Sequence, residues 1–147
     1  MPKLINNERS PFTDVIILTA ADLAAIGGST KVIAKIPSGG AIEFVAVATG
    51  ETFATAGSAV AATGAISIGD GTTAALFSAS AVPPATVGTI PQYNSGSGFT
   101  SAGTKPVGIV AGGSNVVLTV AAGNYSALDA GKIVIGLRII DPVQFAL

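Results

Sequence analysis

The sequence predicts an all-β, single-domain protein of the β-sandwich or jelly-roll kind, with one short helix after the first strand and an extended N-terminal arm. Three observations carry this. Short alternating or β-branched apolar runs recur along the chain, clusters of Gly, Pro and Ser separate them, and one segment alone has the punctuation of a helix. The length, 147 residues, suits a single domain. A chain of that size buries about 70% of the surface it exposes when unfolded, so its core needs no covalent staple.

Residues 1–11, MPKLINNERSP, show no periodic apolar face, and Pro11 disfavours helix at Ser10. They read either as a disordered tail or as an arm that clasps a neighbouring subunit, with Lys3, Leu4 and Ile5 as its contact residues. Residues 12–147 form the domain. Phe12 to Leu18 is rich in β-branched residues and reads as the first strand. Thr19-Ala-Ala-Asp22 then places an N-cap residue three positions before an acid, ahead of Leu23 and Ile26, and Gly27-Gly28 closes the segment. That spacing predicts a helix of one or two turns with a variant capping box.

Everything afterwards reads as β. Lys31 to Ile36 alternates and stops at the turn cluster Pro37-Ser-Gly-Gly40. Ala41 to Thr49 places Ile42, Phe44, Ala46 and Ala48 on one face, with Glu43, Val45 and Val47 on the other. Ala65 to Ile68, Leu76 to Ala79, Val107 to Val110, Asn115 to Ala121 and Lys132 to Asp141 complete a set of seven or eight short strands.

Two segments stand apart. In KIVIGLRIID, Ile133, Ile135, Leu137 and Ile139 share one face, while Val134, Arg138 and Ile140 share the other with Gly136. A strand wetted on one side should be polar there, and this one is largely apolar. Either a loop covers it or another subunit does. The stretch from Ser80 to Pro106 carries Pro83-Pro84, Pro91 and Pro106 among Gly, Ser and Thr, and reads as a long loop. Its Tyr93 and Phe99 are contact anchors or core residues; aromatics make up only 5% of the chain.

Composition narrows the function. Charged residues are 10% of the chain, against about 25% in ordinary domains. Net charge is −1 and mean hydropathy +0.67. The seven basic residues are scattered, which argues against nucleic-acid binding. Such a chain has little electrostatic protection against association, so a permanent partner is expected. Its most apolar stretch, Phe53 to Ile68, is too short and too interrupted to span a membrane as a helix. The polar start lacks the apolar core of a signal peptide, so synthesis in the cytoplasm without export is expected.

There is no His and no Cys, which removes imidazole-based triads and thiolate chemistry. The eight acids show no spacing that suggests a catalytic pair. We therefore expect no enzyme and no cofactor. The stretch GAISIGDGTT, residues 64–73, is the one motif with a chemical look. A calcium loop needs more oxygens than Asp70 and two threonines supply, so Asp70 is only a weak metal candidate. A phosphate loop needs a third glycine or a lysine and a following helix, and these are missing. An Asp-Gly turn after an alternating strand accounts for the motif.

ISIGDGT, a following apolar LF, the Pro/Gly-rich excursion with its tyrosine, and a final pair of strands resemble small head proteins of tailed bacteriophages. The likeness is to capsid decoration, or cement, proteins. It also takes in the polar arm, the DVIILTAADL opening and the ending VVLTVAAG…GKIVIGLRII. It spans most of the chain as an order of elements, and ISIGDGT is its one semi-specific motif. The resemblance implies a homotrimer on the outer capsid surface of the virion, bound to major capsid protein at subunit junctions and resisting internal pressure. Interface candidates are then Lys3, Leu4, Ile5, Tyr93, Phe99, Val134, Arg138 and Ile140, with neither nucleic acid nor membrane as partner. Other classes remain open: a head-tail connector or tail-tube subunit, a glycan- or host-surface-binding module, and a pilus-like surface subunit.

Overall fold

A computed structural model describes residues 12–89, 92–93 (backbone alone), 114–141 and 143. The elements run β1 (Asp14–Thr19), α1 (Ala20–Ile26), β2 (Ser29–Ile36), β3 (Ala41–Thr55), β4 (Ser58–Ala59), β5 (Ile66–Gly69), β6 (Ser78–Ala81), β7 (Gln92–Tyr93), β8 (Ser114–Val120) and β9 (Ala130–Ile140). They form two antiparallel sheets. One has the order β1-β9-β3-β4, with β7 also paired to β3; the other has the order β2-β8-β5-β6. This is the all-β sandwich that alternation and turn spacing predict. Among the described residues, no helix is long and apolar enough to cross a membrane.

The core lies between the sheets. Leu18, Val45, Val47, Phe53, Ile133, Ile135 and Leu137 come from the first sheet. Ile36, Val116, Leu118, Val120, Ile66 and Ile68 come from the second. Helix α1 adds Leu23 and Ile26. It forms as its sequence predicts. Thr19 Oγ1 accepts from Asp22 N–H at 3.2 Å, Asp22 Oδ2 accepts from Thr19 N–H at 2.9 Å, and Gly27 N–H reaches back to Leu23 O at 2.9 Å.

Strand β3 departs from the simple alternation. Its register against β9 shifts between Ile42 and Phe44, so Glu43 bulges. Ile42 consequently joins Val45 and Val47 in the core, while Phe44, Ala46 and Ala48 stay on the opposite face. The expectation that Ile42 shares a face with Phe44 is corrected by that single extra residue. Two further shifts, around Glu51, carry the strand on to Thr55, past the boundary expected at Thr49.

The start of the expected long loop is better tied down than its composition suggests. Thr49 N–H donates to Thr89 O, Gly88 N–H donates to Thr49 O, and the Thr49 hydroxyl donates to Pro84 O. Gln92 and Tyr93 then pair with Val47 and Ala46. The far edge of β3 is therefore occupied. The strand expected at Val107 to Val110 lies outside the described residues, as does the arm 1–11.

One end of the core is closed by a 3-10 turn, Asn124–Ala127. Its Tyr125 is buried, lies with its ring centroid 5.9 Å from that of Phe53, and donates its hydroxyl to Gly64 O. Burial pushes the Tyr125 hydroxyl up to about 12. Tyr125→Phe leaves the buried Gly64 carbonyl without that donor and should cost about 1–3 kcal/mol in urea unfolding at neutral pH. Because the folded pKa is raised, wild-type stability is intact below the unfolded value of 10.0 and declines as pH rises toward 12. The Phe variant should lose that alkaline decline.

Candidate functional site

A sandwich has two outer faces, and here they differ in character. On the second sheet the outer face presents Thr30, Lys35, Asn115 and Thr119 beside an exposed Val32, while Ser67 and Val117 on the same face are buried. It is the mixed polar surface expected of a wetted sheet. The first sheet is different. Pairing places Val15 opposite Gly136, Gly136 opposite Ala46, Ile17 opposite Val134, and Val134 opposite Ala48. Phe44 faces Arg138 one step further along. Three neighbouring strands thus present one apolar strip.

Two features shape the strip. Gly136 leaves space for a ring: a Cβ there would lie 2.8 Å from Phe12, so the Phe12 side chain rests over the middle of β9. Val15 and Ile17 remain 57% and 60% exposed. The only charges along the β3–β9 part are paired. Arg138 Nε meets Glu43 Oε2 at 2.8 Å at one end, and Lys132 Nζ meets Glu51 Oε2 at 2.7 Å at the other. Both pairs are more than a third exposed and add little stability. Their effect is to leave the strip electrically neutral at each end.

Val134, Arg138 and Ile140 are therefore brought together on one face, as the alternation of β9 predicts, and all three are half-buried. Lys3, Leu4, Ile5 and Phe99 lie outside the described residues; for Tyr93 the backbone alone is placed, opposite Ala46. Val15 and Ile17 join the face from β1. A signal for them exists in DVIILT, where both alternating sets are apolar, the same double pattern that singles out β9.

Asp70 has a structural task. Its Oδ1 accepts from Thr73 N–H at 2.7 Å and Thr72 N–H at 2.9 Å, closing an Asx turn at the exit of β5. Gly71 takes φ +93°, which a residue with a side chain adopts with difficulty. A Cβ on Gly69 would run into Thr73 O, so that position too requires glycine. The segment returns to β6 through Phe77 N–H, which donates to Ile68 O at 2.9 Å. Among the described residues no three His, Cys, Asp or Glu side chains gather as a metal would need. The motif is a turn whose carboxylate is already committed to backbone donors.

No protein family, curated protein or solved structure matches the chain.

Asp70 is held below its ordinary value of 3.8 mainly by Thr73 N–H, and Asp22 mainly by Thr19 N–H. Folding lowers both, so their contribution is complete above 3.8 and lost as pH falls through the lower folded values. The double variant Asp22→Asn, Asp70→Asn keeps oxygen acceptors but not the titration. Its urea midpoint should fall less than wild type's between about pH 5 and pH 2.

Proposed function

We propose that this protein is a structural subunit that binds the outside of a protein shell, in the manner of a tailed-phage capsid decoration protein, and braces the major capsid subunits beneath it. One observation carries the reading: the outer face of the first sheet is apolar across β1, β9 and β3, with its flanking charges internally paired. A face of that kind loses hydration cheaply when covered and presents no unpaired charge to desolvate. The opposite sheet face carries Thr30, Lys35, Asn115 and Thr119 beside the exposed Val32, and suits the solvent side. The resemblance of ISIGDGT and the flanking elements to decoration proteins supports the same reading, and the three-fold arrangement of copies it implies belongs to the proposal.

A bracing subunit needs no reaction chemistry. It stabilises whichever shell state it binds by mass action, and several modest contacts on one oligomer multiply through effective concentration. The weak overall charge fits a partner met once and kept, because electrostatic steering matters most for rapid encounter. A connector, tail-tube or glycan-binding role would use the same scaffold, but none of these draws support from a feature as extensive as the apolar strip.

Purified shells lacking the protein, mixed with it and imaged by electron microscopy, test the reading directly. Density on the shell exterior at regular sites is expected; shells that stay bare at micromolar protein would end it. Ile140→Asp puts an unpaired charge on the strip and should weaken co-sedimentation with shells at least about tenfold while the urea midpoint changes little. Deleting residues 1–11 should likewise lower shell occupancy more than it lowers domain stability.

A further inference from the structure

Among the described residues the two sheets have four edges, and three are protected. The far side of β3 is taken up by β4, by the Thr86 to Thr89 turn and by β7. Strand β6 is only four residues long, and its pairing to β5 is irregular. Strand β2 is longer, but carries Lys31 and Lys35 and a bulge between Val32 and Ala34. Lysines, bulges, shortness and covering segments are the usual devices that stop a sheet edge from pairing with another chain.

Among the described residues, strand β1 has none of these. It pairs with β9 through six consecutive residues without a register shift, and its sequence DVIILT holds no Lys, Pro or Gly. Its single charge, Asp14, stands at the first position. Among the described residues no segment hydrogen-bonds to its other side. An unbulged apolar edge of this length leaves a row of backbone donors and acceptors ready for a further strand.

We propose that β1 is a self-association edge, and that its occupant is β1 of a second copy of this chain, paired antiparallel about a two-fold axis. The strand is self-complementary in that arrangement. Centred on Ile16, the pairing sets Val15 of one copy against Ile17 of the other, twice, and Ile16 against its own counterpart. Cross-strand residues then keep to the same face, as an antiparallel ladder requires. Asp14 meets Leu18 rather than another Asp14, so no like charges face each other. At a net charge of −1 per chain, little repulsion opposes the approach. The contact joins two five-stranded sheets into one and makes the apolar strips of both copies continuous, and it covers Val15 and Ile17 from the side.

This edge contact is independent of shell binding. A two-fold contact gives even numbers: two copies alone, or six where it links three-fold assemblies. Light scattering or native mass measurement of the full chain should give two or six copies. Val15→Lys with Ile17→Lys, both at exposed positions, should halve that mass. Hydrogen exchange on the wild type supplies a second reading that needs no variant. Backbone amides of β1 should gain protection as concentration rises, while those of β2 do not. One or three copies up to about 1 mM, or β1 exchange that ignores concentration, overturns the proposal. Bare shells alongside an even copy number would remove the shell-binding reading and leave this one standing.

Discussion

The antiparallel ladder between β3 and β9 is the interaction on which the rest of the molecule depends. It runs from Ala41 opposite Ile140 to Ala54 opposite Ala130, and it sets both strands at the middle of the first sheet. Among the described strands, β1 pairs with β9 alone. β4, β7 and the turn ending at Thr89 are held through β3. The inner residues of the ladder supply the first sheet's largest share of the core, so packing against the second sheet requires the ladder's register. A one-residue slip would turn Ile133, Ile135 and Leu137 outward and bring Lys132 and Arg138 in.

The ladder tolerates three register shifts, and each has a consequence. The bulge at Glu43 sends Ile42 inward and places the carboxylate beside Arg138. The shifts around Glu51 bend the strand so that Phe53 reaches the core beneath Tyr125. Bulges increase local twist, which lets a strand as long as β3 follow the curvature of the sandwich. Ordering of the core and geometry of the outer strip thus come from the same irregularities.

The difference between the two outer faces follows from what each strand can hide. β9 is apolar on both sides, with one side in the core and the other on the outer face of the first sheet. Phe12 covers part of it by lying over Gly136, and Ala46 and Ala48 keep the adjoining surface low. What is left exposed, Val15 and Ile17, lies along the sheet's open edge. Val15 and Ile17, 57% and 60% exposed, therefore leave more than half of their burial free energy unrealised.

Much of this was legible in the residues. Thr19 and Asp22 announce the helix start because a capping box uses only neighbours three positions apart, and Asp70-Gly71 announces a turn because its hydrogen bonds close within three residues. The double apolar pattern of β9 is also local, and it correctly groups Val134, Arg138 and Ile140. What eluded the sequence is non-local. Alternation carries no mark of a bulge, so it puts Ile42 on the wrong face. Nothing near Thr49 signals that Pro84, Gly88 and Thr89 will bond to it from thirty-five to forty residues away. Nor does the spacing of Tyr125 show that Gly64 will accept its hydroxyl proton donor. The sequence by itself determined fold class, the helix and the turns, since these depend on periodicity and short-range hydrogen bonds. Only the tertiary structure decided which apolar face is buried, which edge stays open and which side chains share the outer strip, because those depend on strand register, and register is settled by the packing of all the strands together.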